Sequence, residues 1–357
     1  MSKTSHGTDD GDATTPVREG FTFDEAALDA WMAAHVEGHE GPLTVRQFKG
    51  GQSNPTYKVT TPVGAYVLRR KPSGQLLKGA HAVEREARVM AALHGAGFPA
   101  PRVFGLCEDP AVIGAAFYVM DLVQGRIFWD ATLPEMSNAE RPAYFDAMNE
   151  TLARLHSLKP ADVGLADYGR SGAYFERQIA LWTRQYLADE DAGRDPNMDR
   201  LIEWLPARIP AGDETTLVHG DFRVDNMVFH ATEPKVVAVL DWELSTLGHP
   251  LADFGFHAMM YRMPPDIVAG LGGADIAALN IPSEEDYVAT YCRRTGRAGM
   301  DDYLFYVAFS FFRLAAIFHG IKGRAIRGTA ASAEASQRAK NFPRLAQIGW
   351  ELAREAG

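Results

Sequence analysis

Eight consecutive residues, His219-Gly-Asp-Phe-Arg-Val-Asp-Asn226, hold the densest chemistry in this 357-residue chain. A short apolar run leads into them, and a second leads into Leu240-Asp-Trp-Glu243, so the order is His-x-Asp-x4-Asn, then a strand, then Asp. Phosphoryl transfer asks little covalent work of a protein. It needs a carboxylate beside the attacking hydroxyl and oxygen ligands that hold Mg²⁺ against a triphosphate. On a loop between strands, Asp221 accepts or orients the hydroxyl proton, Asn226 returns at the start of the next strand, and Asp241 completes a metal site from the strand after it. Any one of these residues alone reads as turn chemistry, because Asp and Asn side chains bond their own backbone. An apolar strand into His-Gly-Asp, the gap to Asn and a second strand ending in Asp together make the functional reading the stronger one. Asp225 is expected in solvent, and His219 as a buried hydrogen-bonding support.

These side chains must be carried by strands and helices that the hydrophobic pattern outlines. Short β-favouring runs at 43–48, 56–60 and 65–69 are separated by Gly50-Gly-Gln-Ser-Asn-Pro55 and by Thr61-Pro-Val-Gly64, which predicts an antiparallel meander. Val83, Ala87, Met90 and Leu93 recur at helical spacing within 81–94, and strands follow at 102–106 and 117–121. Past residue 123 helices dominate: 139–158 behind a Ser137 cap, 174–187, 198–207, 283–296, 302–321 and 331–355, with short strands at 216–218, 227–229 and 236–240. The expectation is an α+β chain. Residues 1–20 form a disordered tail, 21–122 a smaller nucleotide-binding lobe with an antiparallel sheet and one helix, and 123–357 a larger, mainly helical lobe with the catalytic loop and substrate site.

Composition narrows the partners. With 36 Lys plus Arg against 46 Asp plus Glu the formal net charge is -10, a field that repels nucleic acid and acidic membranes. Cys107 and Cys292 stand alone, without metal-ligand spacing, so no disulfide framework or zinc site is expected and a reducing, cytoplasmic setting fits. No basic stretch followed by an apolar one occurs in residues 1–20. The most apolar run, Tyr303 to Phe318, is interrupted by Ser310 and Arg313 and reads as a buried helix, not a membrane span.

The catalytic motif and the following Gly248-His-Pro-Leu-Ala-Asp253 resemble the aminoglycoside phosphotransferase family, the small-molecule branch of the protein-kinase-like fold, from about residue 40 onward. Gly50-Gly-Gln-Ser-Asn-Pro-Thr-Tyr57 and Tyr66-Val-Leu-Arg-Arg-Lys-Pro72 are similar to the kinase-like domain that precedes the dehydrogenase in certain acyl-CoA dehydrogenase family members. The resemblance implies a bilobal kinase-like fold that uses ATP and Mg²⁺. Gly50, Gly51, Gln52, Ser53 and Asn54 then offer backbone N–H groups to the phosphates, and Arg69 stands where most relatives carry a strand lysine. Strand alternation puts Lys71 on the face of Arg69 and Arg70 on the other. Glu86, aligned with the apolar stripe of its helix, is the expected ion-pair partner, with Glu84 more exposed. The adenine-facing linker maps to Met120, Asp121, Leu122 and Val123. Asp253 has two equal readings, a brace for the catalytic loop or a first-turn acid that complements its helix dipole.

The acceptor is the least legible part. Residues 263–283, rich in Pro, Gly and Ala, read as a mobile lid. Residues 313–327 carry Arg313, Lys322, Arg324 and Arg327 and no acid, which favours an anionic acceptor over a polycationic antibiotic. The leading expectation is a kinase for a small hydroxylated metabolite, a hydroxy acid or its CoA thioester, with Tyr303–Phe318 lining an acyl pocket. The alternatives are an aminoglycoside or other amino-sugar kinase, and a nucleotide-binding pseudokinase that serves as an interaction module.

Overall fold

Alternating burial along the early strands builds the sheet that the meander pattern requires. The computed structural model describes residues 14–49, 54–72, 82–329 and 333–357. The chain divides into two compact units, Met1–Ile127 with Asn226–Ser245, and Phe128–Asp225 with Thr246–Gly357. In chain order the elements begin β1 (Thr14–Thr15), α1 (Glu25–His35), β2 (Thr44–Phe48), β3 (Thr56–Thr61), β4 (Gly64–Arg70), α2 (Val83–Gly95), β5 (Val103–Cys107), α3 (Pro110–Ile113) and β6 (Phe117–Asp121). Then come α4 (Arg141–Ser157), α5 (Tyr174–Ala188), α6 (Pro196–Ala207), β7 (Thr216–Val218), β8 (Met227–Phe229), β9 (Val236–Val239) and β10 (Thr246–Gly248). The chain closes with α7 (Pro250–Ala258), α8 (Glu284–Thr295), α9 (Tyr303–Ile326), α10 (Ala333–Ala339) and α11 (Phe342–Ala356).

In the first unit six described strands form one sheet in the order β1-β2-β3-β4-β6-β5, antiparallel throughout. Tyr57, Val59, Tyr66, Leu68, Phe117 and Val119 bury one face against Leu28 and Met32 of α1 and Val36 just past its end. Period-two alternation turns Arg69 and its cross-strand partner Tyr118 to the opposite face, where Tyr118 meets Glu86 of α2. Arg70 takes the α1 face, bonding the Ile113 carbonyl at 2.9 Å and stacking over Phe23 and Tyr57.

The tail expected over residues 1–20 needs correction from Thr14 onward. Thr14 and Thr15 pair with Phe48 and Gln47, and Arg46 fixes Thr14 through Nε at 2.9 Å, a tie that hydropathy does not register. The first unit also takes back residues 226–245, so it extends beyond the single boundary expected near 123. The β8–β9 hairpin joins it through Val239 N–H to the Pro99 carbonyl and through a two-way bridge between Arg126 and Phe229. Gly125 permits that bridge, since a Cβ there would lie 2.2 Å from the Phe229 carbonyl oxygen.

The second unit is organised on α9, which packs with α5, α6, α7 and α11. Its Tyr303–Ile326 span is long and apolar enough to cross a membrane, yet 78% of its most apolar window is buried, so it is a core helix here. The expected helix over 331–355 is two, because Pro343 cannot continue the hydrogen-bond ladder of α10 and instead occupies the first turn of α11. Ser137 does not cap α4. Its hydroxyl donates to Glu140 and its carbonyl closes the turn ahead of the helix. The 263–283 segment is fastened. Asn138 donates to the Ala278 carbonyl, Asn280 to the Asn138 carbonyl and Tyr261 to the Pro282 carbonyl. We expect Gly125→Ala to destabilise the protein by about 2 kcal/mol or more, as backbone displacement normally does. Denaturant unfolding measures this, and a change under about 0.5 kcal/mol would place the bridge outside the fold's essential contacts.

Candidate active site

The loop after β7 owes its shape to Asp253. This buried carboxylate, at the first turn of α7, accepts the His219 N–H at 2.7 Å and the Gly220 N–H at 2.8 Å. It also accepts Nε2–H of His156 at 3.2 Å, which leaves His156 Nδ1 to accept from the Tyr291 hydroxyl at 2.6 Å. Burial works against the ionised form of Asp253, but these donors hold its pKa below the ordinary carboxylate value. Of the two readings open in the sequence, the brace matches the geometry. Gly220 adopts φ +83°, a conformation that side chains resist. His219 is fully buried and accepts the Asp221 N–H on Nδ1 at 3.1 Å, the supporting role expected of it.

Asp221 emerges from this turn with its side chain about one-fifth exposed, and Arg223 Nε stands 3.1 Å from its Oδ1. The same guanidinium lies 3.3 Å from Asp225 Oδ2. Asp225 is therefore paired and largely shielded, contrary to the expectation of solvent, because the helical turn at 224–226 brings it under Arg223.

In the first unit Arg69 gathers three carboxylates. Its Nε is 3.1 Å from Glu86, and its NH2 is 3.0 Å from Asp241 and 3.2 Å from Glu243. Glu86 is buried and also accepts Asn54 Nδ2 at 2.9 Å and the Tyr118 hydroxyl at 3.0 Å. Burial pushes the Glu86 pKa up to about 7 against the pull of Arg69. Burial also opposes the charge on Arg69, but Tyr118 and the three acids outweigh it and hold the guanidinium protonated. Lys71 pairs with Glu84 at 2.8 Å, leaving Glu86 to Arg69.

Asn226 and Asp241 come to the same end of the β8–β9 hairpin. The Leu240 N–H donates to the Asn226 carbonyl at 2.8 Å, one residue from Asp241. Asp241 has φ +63°, an uncommon conformation for a side-chain-bearing residue. It is held by buried Trp242, whose indole donates to the Val239 carbonyl and packs edge-on against Phe98. Among the described residues no three acids, histidines or cysteines make a metal cage of their own. The fit to Mg²⁺ rests instead on charge and ligand type: three carboxylates face one cation, and the Asp241 side chain is about one-third exposed. Such a site suits a hard cation that keeps waters and borrows phosphate oxygens.

Gly50, Gly51, Gln52 and Ser53 lie outside the described residues. Asn54 is fully buried on Glu86, so its side chain supports the ion pair. Met120 and Asp121 still belong to β6, and the Asp121 N–H is spent on the Arg102 carbonyl, which leaves Leu122 and Val123 beyond the strand end. The basic run is not one cluster. Lys322 donates to the Ala192 carbonyl and Arg327 pairs with Asp189 and Asp191, so these two cations close the 189–192 turn. Tyr303–Phe318 is mainly core, and the small pocket beside the loop after β7 is lined in part by Arg223, Val224, Phe256, Met259, Met260 and Met263.

Sequence reasoning missed Glu243, Tyr118 and His156. Glu243 could have been found two residues past Asp241, and Tyr118 by alternation opposite Arg69, whereas nothing local marks His156.

The sheet with one helix on the Arg69 face and the helical second unit define a protein-kinase-like fold. Residues 44–303 match the phosphotransferase enzyme family, and the chain belongs to that family. Small-molecule phosphotransfer is the general chemistry that this membership supports. The chain is 44% identical over 347 residues to acyl-CoA dehydrogenase family member 10 of Mus musculus, covering 96% of this chain but only 32% of that protein. A solved putative aminoglycoside phosphotransferase from Ralstonia eutropha JMP134 is 51% identical, with TM-score 0.86 over 94% of this chain and 99% of that one. At 15% identity and TM-score 0.57, the fold is shared with a thermostable mutant of aminoglycoside phosphotransferase APH(4)-Ia, solved with AMP-PNP and hygromycin B; 89% of this chain and 98% of that one are covered.

Two buried histidines make the second unit less stable in acid. Burial depresses the pKa of both His249 and His257 from 6.5 to about 4. His257 donates Nδ1–H to the Phe222 carbonyl and accepts from Tyr287, so it is held neutral. The unfolded chain takes up these protons first, and stability therefore falls as pH drops from about 6.5 to about 4, by up to about 3 kcal/mol per histidine. We expect His257→Asn to flatten that decline in urea titrations over this range. An unchanged pH slope would remove His257 from it.

Proposed function

We propose that the chain is an ATP- and Mg²⁺-dependent phosphotransferase that carries the γ-phosphoryl group to the hydroxyl of a small molecule, a hydroxy acid or hydroxyacyl-CoA. The observation that carries this reading is Arg69 shared among Glu86, Asp241 and Glu243. A strand cation fixed by a helix acid can meet nucleotide phosphates without moving, and the acid surplus leaves room for a divalent ion.

Asn226 and Asp241 would hold Mg²⁺, which when bound neutralises phosphate charge. Arg69 contacts phosphate, and Leu122 and Val123 offer backbone groups to the base. Asp221 orients the acceptor hydroxyl and takes its proton as the oxygen attacks phosphorus and the bond to the ADP oxygen breaks. Arg223 keeps the Asp221 carboxylate in one orientation, and Asp253 keeps the loop backbone in place. The kinship with acyl-CoA dehydrogenase family members supports an acceptor with an aliphatic part.

Asp221→Asn should leave ATP affinity nearly intact and lower turnover at least about 100-fold, the scale of a positioned acid–base group. ADP release from ATP with a panel of hydroxy acids, their CoA esters and aminoglycosides reads this, and normal turnover in the variant excludes the role. Asp241→Asn, which tolerates the positive φ better than Ala would, should lose Mg²⁺-dependent nucleotide binding. Unchanged affinity by calorimetry contradicts the metal assignment.

A further inference from the structure

Two shielded aspartates of the second unit, Asp253 and Asp225, are satisfied very differently. Asp253 accepts the His219 N–H, the Gly220 N–H and Nε2–H of His156. Asp225 reaches a single guanidinium. Its Oδ2 lies 3.3 Å from NH2 of Arg223, while its Oδ1 is buried without a hydrogen-bond partner on a side chain only 15% exposed. A carboxylate oxygen taken from water with no donor in exchange lowers stability, so packing alone does not account for an acid at this position. Arg223 is the one group through which Asp225 touches the chemistry of the loop, because the same guanidinium stands 3.1 Å, through Nε, from Oδ1 of Asp221. The helical turn at 224–226 folds Asp225 back to that guanidinium. Asp253, His219 and His257 meet the loop through its backbone, at the N–H groups of residues 219 to 221 and the carbonyl of Phe222. A positive charge beside a carboxylate favours the ionised form and so opposes uptake of a proton. Arg223 on Asp221 alone would sum to zero charge and give a poor proton acceptor. With Asp225 present, two carboxylates share one guanidinium, and the pull on Asp221 is partly offset.

We propose that Asp225 is a positioning residue for phosphoryl transfer: it shares Arg223 with Asp221, and by doing so leaves Asp221 able to take the proton of the acceptor hydroxyl. The proposal rests on the phosphotransferase reading and deepens it, since the basicity of Asp221 is then set by a second acid four residues along the same loop. The hydroxyl proton passes to Asp221 as the oxygen–phosphorus bond forms and the bond to the ADP oxygen breaks. Arg223 and Asp225 keep their charges and their bonds throughout.

The test compares the unaltered chain, Asp225→Asn, Arg223→Met and the double variant by steady-state ADP release and by thermal melting. Asp225→Asn should lower kcat about tenfold while KM for ATP stays within about twofold. Its melting temperature should not fall, because Asn removes a shielded charge that is only partly compensated. In the Arg223→Met background the same Asp225→Asn change should lower kcat no further, since Asp225 acts through the guanidinium that is no longer there. Three results would each overturn the proposal: an unchanged kcat in Asp225→Asn, a loss that falls on KM and melting temperature together with kcat, or an equal loss in both backgrounds. Absence of ADP release from the unaltered chain on every acceptor of the panel would end the phosphotransferase reading and this inference with it. Turnover by the unaltered chain that Asp225→Asn does not alter would end the inference alone.

Discussion

One guanidinium sets the terms for the first unit. Arg69 is mostly buried on the sheet face that carries Tyr118, and it can stay charged there only because Glu86, Asp241 and Glu243 stand around it. Those acids come from a helix and from the hairpin segment returned after residue 225, so one charge ties three stretches of chain together. The balance is unequal, with more carboxylate than cation. In the proposed function that inequality would let the cluster receive a metal-bound polyphosphate, a use beyond that of a buried salt bridge, whose net worth is often small.

The second unit solves a different problem, that of presenting one carboxylate on a turn whose backbone cannot reach water. Asp253 accepts two consecutive N–H groups, Gly220 supplies the positive φ, and His219 caps the Asp221 N–H. Each device satisfies a group that would otherwise be buried without a partner. The chain then leaves this unit between Asp225 and Asn226 and re-enters it after Ser245. The eight-residue motif is thus divided, with Asp221 in one unit and Asn226 in the other, where Asp241 also lies.

Much of this was legible because the spacing itself is physical. Alternation placed Arg69 and Arg70 on opposite faces, and the helical stripe picked Glu86 over Glu84 as the partner of Arg69. The strands from 44 to 121 followed from β-favouring runs between turns. What escaped was whatever depends on partners distant in sequence. Thr14 joins the sheet through Arg46, Asp225 is shielded by Arg223, and the 263–283 segment is fastened by Asn138. The start of α7 was marked by Pro250, but its extent was not, because all nine of its residues are buried and no amphipathic stripe outlines it. The basic run of α9 misled because composition cannot show that Lys322 and Arg327 are spent on closing the 189–192 turn.

Whether Arg69 serves nucleotide phosphate is open to a direct measurement: calorimetric titration of AMP-PNP with Mg²⁺ into the unaltered protein, Arg69→Lys and Arg69→Met. The account predicts that Lys, which keeps the charge, stays within about tenfold, and that Met loses at least about 30-fold with its secondary structure intact, the worth of a charge-assisted contact. Equal affinity in all three would leave the carboxylate cluster a structural feature and remove the centre of the proposed site.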